Sequence, residues 1–364
     1  MASCREVCRV ERVARLLSVA ITVLTLVAST SVRAQVGDWP TRPVVLVNPF
    51  SAGSAVDVVA RVVAQKVTQN LGQGINVENR TGASGNIGTE AVARARPDGY
   101  TLLLGSPGTM AINPFLFVKL PYDVQKDFVA VSQMVAFPQI VIANPKGSIR
   151  SIPDLIAEAR ARPGGLSHAS SGQGSTAHLA MELIKADANL KILHVGYRGG
   201  APATQAVAAG DVQVGVEGIP SLLGLIKAGT VLPLAVTSPK RAALLPNVPA
   251  MSEFIPGFDA SAWIILMAPA GTPPPTVARI SAEFKRALED PAVRQQLEAQ
   301  GATVVGSAPA EVAPFLLGEL RKFKRAVEAS GVKPELGRTD GQVPAGGVQR
   351  WRDRPSSSPS WFSS

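Results

Sequence analysis

Cysteine is almost absent from this 364-residue sequence, which has two, Cys4 and Cys8, both near its start. The chain beyond them has no thiolate to form a disulfide, to bind a metal ion or to act as a nucleophile. Histidine is also scarce. The sequence has only His168, His178 and His194, and no two of them have the i, i+4 spacing typical of a helical metal site. Cysteine chemistry is therefore excluded, and a metal centre is not indicated.

Aromatic residues make up only 5% of the chain, and the formal net charge of +9 comes from Lys and Arg that are scattered along it. A nucleic-acid site needs clustered basic residues along a phosphate path or aromatic rings that stack on bases. We therefore predict no nucleic-acid binding. The basic excess indicates a solvated surface, or secondarily a field that draws anionic ligands into a cleft.

Enzyme motifs are missing as well. No G-x-S-x-G elbow occurs, and no Gly-Lys-Ser/Thr follows a glycine run. The segment Gly82–Gly88 loosely resembles a dinucleotide loop, but its glycines have the wrong spacing. We therefore predict a protein that is not an enzyme and that uses no cofactor.

Residues 1–34 have the three zones of a secretory signal: arginines from Arg5 to Arg15, the apolar run Leu16–Ala28, and a segment that ends in Val32-Arg33-Ala34. The alternative is a membrane anchor, but the apolar run is shorter than the roughly 20 residues that a span needs. We expect cleavage after Ala34 and a soluble periplasmic protein.

Strand and helix patterns alternate along the rest of the chain. Residues Val44–Asn48 are apolar and β-branched, as in a buried strand, and Ser54 then opens a helix with a valine face. Similar pairs continue, with strands predicted at 139–143, 166–169, 192–197, 212–216, 232–237 and 264–268. This alternation predicts an α/β fold with mostly parallel, doubly wound sheets, and the length favours two domains. Ligands of such sheets bind beyond the carboxyl ends of the strands.

Several loops contain recognisable sequence motifs. The segments NPFSAGSAVDVVAR, VENRTGASGNIG, PDGYTLLLG, SSGQGSTAHLAMEL and HVGYRGGAPA resemble those of the substrate-binding proteins of tripartite tricarboxylate transporters, the Bug family, over about Trp39–Glu335. The family's first two segments usually read PFPPGGxTDxxAR and VENRPGAGGNIG. Three departures stand out: SAGSA in the first loop, Met110 in place of a frequent histidine, and Glu217 in place of aspartate.

The resemblance implies a two-lobed periplasmic binding protein fold, type II-like, with doubly wound mixed sheets and a ligand cleft between the lobes. The chain would cross between lobes twice. Carried onto this sequence, the lobes follow the signal peptide 1–34 as the first part of lobe 1 (35–143), lobe 2 (144–263) and the second part of lobe 1 (264–337). The tail 338–364 does not resemble the family, and its composition, rich in Gly, Ser, Pro and Arg, predicts disorder.

The function implied is that of a monomeric receptor that closes around a small carboxylate and delivers it to the membrane subunits of a tripartite transporter. The ligand would be a dicarboxylate, a tricarboxylate, an acidic amino acid or an aromatic acid. Presentation of the ligand to a membrane sensor kinase is the alternative within the binding class. A hydrolase or dehydrogenase that uses the same cleft is the alternative from another class.

The candidate ligand-binding residues lie in loops that end strands and begin helices, where unpaired N–H groups and the helix dipole can hold an anion. Glycines permit close approach of the backbone, and hydroxyl groups add neutral donors. The set is Phe50, Ser51, Ala52, Gly53, Ser54, Asp57, Ser106, Gly108, Thr109, Ser171, Ser175, Thr176, Tyr197, Gly199, Ala201 and Glu217.

Three of the side chains in these loops, Asp57, His178 and Arg198, allow two interpretations each, and a fourth, Glu217, bears on the ligand's size. Asp57 either caps the first helical turn or accepts a hydrogen bond from the ligand, and both roles are compatible. His178 fits a structural hydrogen bond between strand and helix better than a ligand contact. Arg198 fits a solvated side chain better than a bidentate partner of a ligand acid. Glu217 adds one methylene to the pocket wall, so the resemblance does not fix the ligand's size.

Overall fold

The computed structural model describes residues 39–334, so the predicted signal peptide (1–34) and the tail (338–364) lie outside the described residues. The strands are β1 Val44–Asn48, β2 Ile75–Asn79, β3 Thr101–Gly105, β4 Phe128–Phe137, β5 Gln139–Ala143, β6 Ser167–Ser170, β7 Leu193–Gly196, β8 Val214–Gly218, β9 Leu232–Val236, β10 Ala262–Pro269 and β11 Thr303–Val304. The α-helices are α1 Ala55–Leu71, α2 Asn86–Ala93, α3 Asn113–Leu116, α4 Ile152–Ala161, α5 Thr176–Ala188, α6 Gly200–Ala209, α7 Ile219–Lys227, α8 Pro274–Glu289, α9 Pro291–Ala299 and α10 Pro309–Ser330.

The strands form two sheets, one in each lobe of an α/β fold. The six-stranded sheet has the order β11-β4-β10-β3-β1-β2, and the five-stranded sheet has the order β7-β6-β8-β5-β9. The pairs of β1 with β2 and β3 are parallel, as are those of β6 with β7 and β8. The strands β10 and β5 pair antiparallel with both neighbours, so both sheets are mixed.

The chain passes from the first sheet to the second at Pro138, which separates β4 from β5. Proline has no N–H to donate to a sheet, so one continuous apolar run is divided between two sheets at this residue. The chain returns between β9 and β10. Two predicted domain bounds are therefore corrected. The strand 139–143, predicted in lobe 1, pairs within the five-stranded sheet. Ala262 and Trp263, predicted in lobe 2, pair within the six-stranded sheet.

The two crossings are joined by hydrogen bonds. The Gln139 N–H donates to Thr237 Oγ1 at 3.0 Å, and the Thr237 N–H donates to the Gln139 carbonyl at 2.8 Å. The Ala260 N–H in turn donates to the Thr237 carbonyl at 2.9 Å. Both connections between lobes therefore run side by side, which is the arrangement of a hinge.

Helix α10 packs on both lobes. Its Phe323 is buried in a hydrophobic cluster that also contains Val47 from the first sheet and Leu179 from α5. On its surface, Arg325 forms an ion pair of 2.8 Å with Asp187 of α5. No helix within residues 39–334 is both long and apolar enough to cross a membrane.

Candidate functional site

The candidate loops lie at the carboxyl ends of strands in both sheets. In the first lobe they follow β1 and β3, and in the second they follow β6 and β7, with Glu217 near the end of β8. The lobes approach each other at these loops: a Cβ atom built on Gly174 would lie 2.6 Å from Leu116 Cδ1 of α3. A side chain at position 174 would therefore require Leu116 to shift, and the φ of +73° at Gly174 also favours glycine. This contact brings the second lobe's loop against the first lobe.

Asp57 organises the loop between β1 and α1. Its Oδ2 accepts from the Gly53 N–H at 3.0 Å and from Arg61 Nε at 2.9 Å. Its Oδ1 accepts from Asn79 Nδ2 at 2.8 Å and from Arg61 Nη2 at 3.1 Å. The bidentate bond from Arg61, with further bonds from Gly53 and Asn79, holds the pKa of Asp57 well below its ordinary value although burial opposes the shift. The carboxylate is thus ionised and internally bonded.

The rest of the loop is closed by its own polar groups. Ser54 Oγ accepts from the Asp57 N–H at 3.2 Å, which is the N-cap predicted from the sequence. Asn48 Oδ1 accepts from the Phe50 N–H, and Asn79 donates to the Phe50 carbonyl. Gly53 has φ +79°, a left-handed conformation that glycine adopts without strain.

These bonds decide which donors of the loop remain for a ligand. The N–H groups of Phe50 and Gly53 are taken by protein acceptors. Those of Ser51, Ala52, Ala55 and Val56 make no hydrogen bond with residues 39–334. Free donors therefore lie at the exposed start of α1, on either side of the Gly53 and Ser54 positions, rather than at Gly53 itself.

The loop after β3 is supported from behind. Thr109 is fully buried in a π-helical turn, Gly108–Ile112, and its hydroxyl accepts from the Ser106 N–H at 3.2 Å. The Tyr122 hydroxyl donates to the Thr109 carbonyl at 2.7 Å and contacts Asn86 at 2.9 Å. Thr109 therefore holds Ser106 in position from inside the lobe.

In the second lobe, Ser175 caps α5 by accepting from the His178 N–H at 3.1 Å. The Gly199 N–H, which we had expected to be open to a ligand carboxylate, donates to the Ser171 carbonyl at 3.2 Å. The Tyr197 N–H donates to the Ser170 carbonyl at 3.0 Å. The loops after β6 and β7 are thus bonded to each other.

All three histidines of the chain meet beneath these loops. The rings of His178 and His194 stack with centroids 3.7 Å apart, and His168 lies 4.9 Å from His194. His178 Nδ1 accepts from the Gly174 N–H at 3.1 Å, and His194 Nε2 lies 2.7 Å from Ser170 Oγ. His178 is therefore the structural histidine that the sequence favoured, because it fixes the loop above α5.

Buried Glu182 supplies the negative charge of this cluster. Its Oε1 lies 3.4 Å from both His168 Nε2 and His178 Nε2, and it forms an ion pair with Lys185 at 2.7 Å. Burial alone would raise the pKa of Glu182, but the histidines and Lys185 together hold that pKa below its ordinary value. The contact with His168 is the weaker one, since neither ring nitrogen of His168 has a hydrogen-bond partner within residues 39–334.

Burial also lowers the pKa of His168, and it lowers the pKa of His194 to about 3. Both rings are therefore neutral near neutral pH. Among residues 39–334, no group of three or more His, Cys, Asp or Glu side chains is placed to hold a metal ion.

The model of the tripartite tricarboxylate transporter family receptor, TctC, matches residues 59–332. The chain belongs to this family. The family consists of periplasmic solute receptors and not of enzymes, which confirms the prediction made from the missing catalytic motifs.

Similar proteins agree with this membership. Protein BugT of Bordetella pertussis is 36% identical over 321 residues, which cover 88% of this chain and 98% of BugT. The structure of R. palustris Rpa4515 with adipate is 33% identical, with a TM-score of 0.69, and covers 82% of this chain and 100% of its own. The structure of MatC from Rhodopseudomonas palustris with bound malate is 32% identical, with a TM-score of 0.65, and covers 79% and 100%.

The receptor's predicted site residues divide by exposure. Exposed are Ser51, Ala52, Gly53 and Ala201; partly buried are Phe50, Ser54, Gly108, Ser171, Ser175, Thr176, Tyr197, Gly199 and Glu217; buried are Asp57, Ser106 and Thr109. Sequence reasoning missed Arg61, Asn79 and Glu182. Arg61 and Glu182 each follow a highlighted residue by four positions, a spacing that places side chains on one helix face. Asn79 had no comparable signal.

We predict that Asp57→Ala destabilises the receptor by about 1–3 kcal/mol, because the Gly53 N–H, Arg61 and Asn79 lose a shared acceptor. Chemical unfolding measures this loss. Glu78→Ala is the matched control, since Glu78 makes a bidentate pair with Arg80 on the surface. It should cost less than about 1 kcal/mol. Equal effects of the two substitutions would contradict the role given to Asp57.

The histidine stack predicts a loss of stability in acid. The folded-state pKa values of His168 and His194 lie below the ordinary 6.5, so the unfolded chain binds more protons as the pH falls. Their contribution is fully present above pH 6.5 and declines below it, by up to about 1.4 kcal/mol per pH unit for each histidine. Urea unfolding between pH 8 and pH 5 measures the slope, and His194→Asn should reduce it. A stability that is constant over this range would refute the prediction.

Proposed function

We propose that this receptor is exported to the periplasm, captures a small carboxylate between its lobes, and delivers it to the membrane subunits of a tripartite transporter. The observation that carries the proposal is the set of free N–H donors at the start of α1, held open by the Asp57 bonds at the carboxyl edge of a sheet. Such a helix start favours an anion. The adipate and malate named for two similar structures support a small carboxylate as the ligand class.

The second lobe would complete the site. Ser171 and Thr176 are partly buried at the start of α5, and Ala201 is exposed in the first turn of α6. Closure would bring these groups toward the α1 loop by bending at Pro138 and near Thr237. A ligand that contacts both lobes stabilises the closed form by its differential affinity for that form, and no bond is made or broken.

Trp263 provides a natural reporter of this motion. It pairs with Ala136 of β4 next to the crossing, and its Nε1–H donates to Glu319 Oε2 of α10 at 2.7 Å. Since α10 also contacts α5, bending at the hinge should alter the surroundings of the indole.

Export and delivery form the second part of the proposal. The receptor should be recovered from osmotic-shock fluid with an intact mass that begins at Gln35. Recovery only from the membrane fraction, or with Cys4 and Cys8 retained, would remove this part. Deletion of the neighbouring genes for the membrane subunits should stop uptake of the carboxylate that the receptor binds. If the receptor instead serves a sensor kinase, the same deletion should leave uptake unchanged.

We predict that a panel of mono-, di- and tricarboxylates and acidic amino acids contains at least one compound that raises the melting temperature and changes Trp263 fluorescence. At 100 times its Kd, a ligand of the folded state adds about 2.7 kcal/mol. With about 2–4 °C per kcal/mol for a chain of this size, the shift is roughly 5–10 °C.

Matched amides and neutral sugars are the control ligands, and they should give neither signal because they lack the charge that the α1 start favours. The Trp263→Phe variant should keep the thermal shift and lose the fluorescence change. A panel in which only neutral sugars or nucleotides stabilise the protein would refute the carboxylate-receptor proposal.

A further inference from the structure

Glu217 places a carboxylate at the carboxyl edge of the second sheet, beside the loops assigned to the ligand. Its Oε2 accepts from the Gly218 N–H at 3.3 Å. Its Oε1 is buried and has no hydrogen-bond partner within residues 39–334. A buried polar oxygen without a donor is uncommon in folded proteins, so this atom calls for an explanation.

The carboxylate packs directly on the first residue of α6. A Cβ atom built on Gly200 would lie 2.6 Å from Glu217 Cδ and 2.7 Å from each carboxylate oxygen. A side chain at position 200 would therefore require the Glu217 carboxylate to move, whereas glycine leaves room for it. Glu217 brings an anion to the start of this helix, where a carboxylate of the ligand would otherwise be favoured.

Within residues 39–334, Glu217 forms no ion pair with a basic side chain. Burial raises the pKa of Glu217, and the Gly218 N–H and the Ser171 hydroxyl offset only part of that rise. A hydrogen-bond donor or ammonium group of the ligand would oppose that rise by stabilising the ionised form of Glu217, whereas a second carboxylate would add to it. The first lobe, in contrast, offers donors at the start of α1.

We propose that Glu217 accepts a hydrogen bond from the ligand, so that the preferred ligand is a monocarboxylate whose far end carries an ammonium or hydroxyl group instead of a second carboxylate. This inference rests on the proposed carboxylate-receptor function. It assigns opposite roles to the two lobes: the α1 loop holds the carboxylate, and Glu217 selects the donor group. The extra methylene relative to the aspartate usual in the family extends the reach of this carboxylate toward Gly200.

Isothermal titration of matched compounds tests the proposal. Each set has one chain length and differs only at the far end: succinate, 4-aminobutanoate, 4-hydroxybutanoate and butanoate, with the corresponding set from adipate. For the chain length that fits, the amino or hydroxy acid should bind at least about tenfold tighter than the dicarboxylate, as expected for one hydrogen bond to a charged group. Glu217→Gln should reduce this preference by about tenfold or reverse it.

The matched control is Glu253→Gln, which removes an exposed carboxylate of the same lobe and should leave the preference unchanged. Thermal unfolding of each variant checks that it is folded. If Glu217→Gln does not fold, the relative affinities of the matched compounds for the wild type decide whether the inference holds. Equal or tighter binding of the dicarboxylates to the wild type would overturn this inference and leave the receptor function intact. Equal preference in folded wild type and Glu217→Gln would also overturn it. Failure of every carboxylate to bind the folded wild type would overturn the receptor function and the inference together.

Discussion

The ion pair between Asp57 and Arg61 is the interaction on which the candidate site depends. A loop that offers backbone N–H donors to an anion must have a fixed conformation before the anion binds. A carboxylate within the loop can fix that conformation by accepting hydrogen bonds from neighbouring residues. Asp57 is only 3% exposed, and Arg61, Gly53 and Asn79 satisfy both of its oxygens. The Gly53 N–H is bonded in this way, and the donors at Ser51, Ala52, Ala55 and Val56 remain without an acceptor within residues 39–334.

A comparable principle operates in the second lobe with other groups. His178 accepts from the Gly174 N–H, and Ser170, which contacts His194, accepts from the Gly172 N–H at 3.3 Å. The histidine stack and Glu182 thus fix the loop that meets Leu116 of the first lobe. Helix α10 ties this arrangement to the hinge, since it bonds Trp263 through Glu319 and contacts α5 through Arg325. The loop geometry and the contact between the lobes therefore depend on connected interactions.

Local patterns predicted much of this fold. The bounds of β1 and β5 match the sequence analysis, because buried β-branched runs are signals within a few residues. The strand β4 escaped prediction, since its apolar run continues to β5 and only Pro138 divides them. The boundaries between lobes depend on which sheet each half joins, and that choice is made by contacts distant in sequence.

The site was less predictable for the same reason. The capping role of Ser54 was expected, because its partner, the Asp57 N–H, lies three positions away, and Ser175 makes the same bond to the His178 N–H. The meeting of His168, His178 and His194 depends on parallel pairing of β6 with β7 and on the packing of α5, so their spacing in sequence gave no sign of it. The Gly199 N–H was expected to be free because its acceptor, the Ser171 carbonyl, lies on another loop.

Amide NMR during a carboxylate titration tests the central claim most directly, namely that the Asp57 bonds leave a defined set of N–H groups for the anion. A hydrogen bond to a carboxylate moves an amide proton strongly downfield. The account predicts large shifts for the amides of Ala52, Ala55 and Val56, with small shifts for Phe50 and Gly53, which keep their protein acceptors. Large shifts at Phe50 and Gly53 with none at Ala52, Ala55 and Val56 would contradict it.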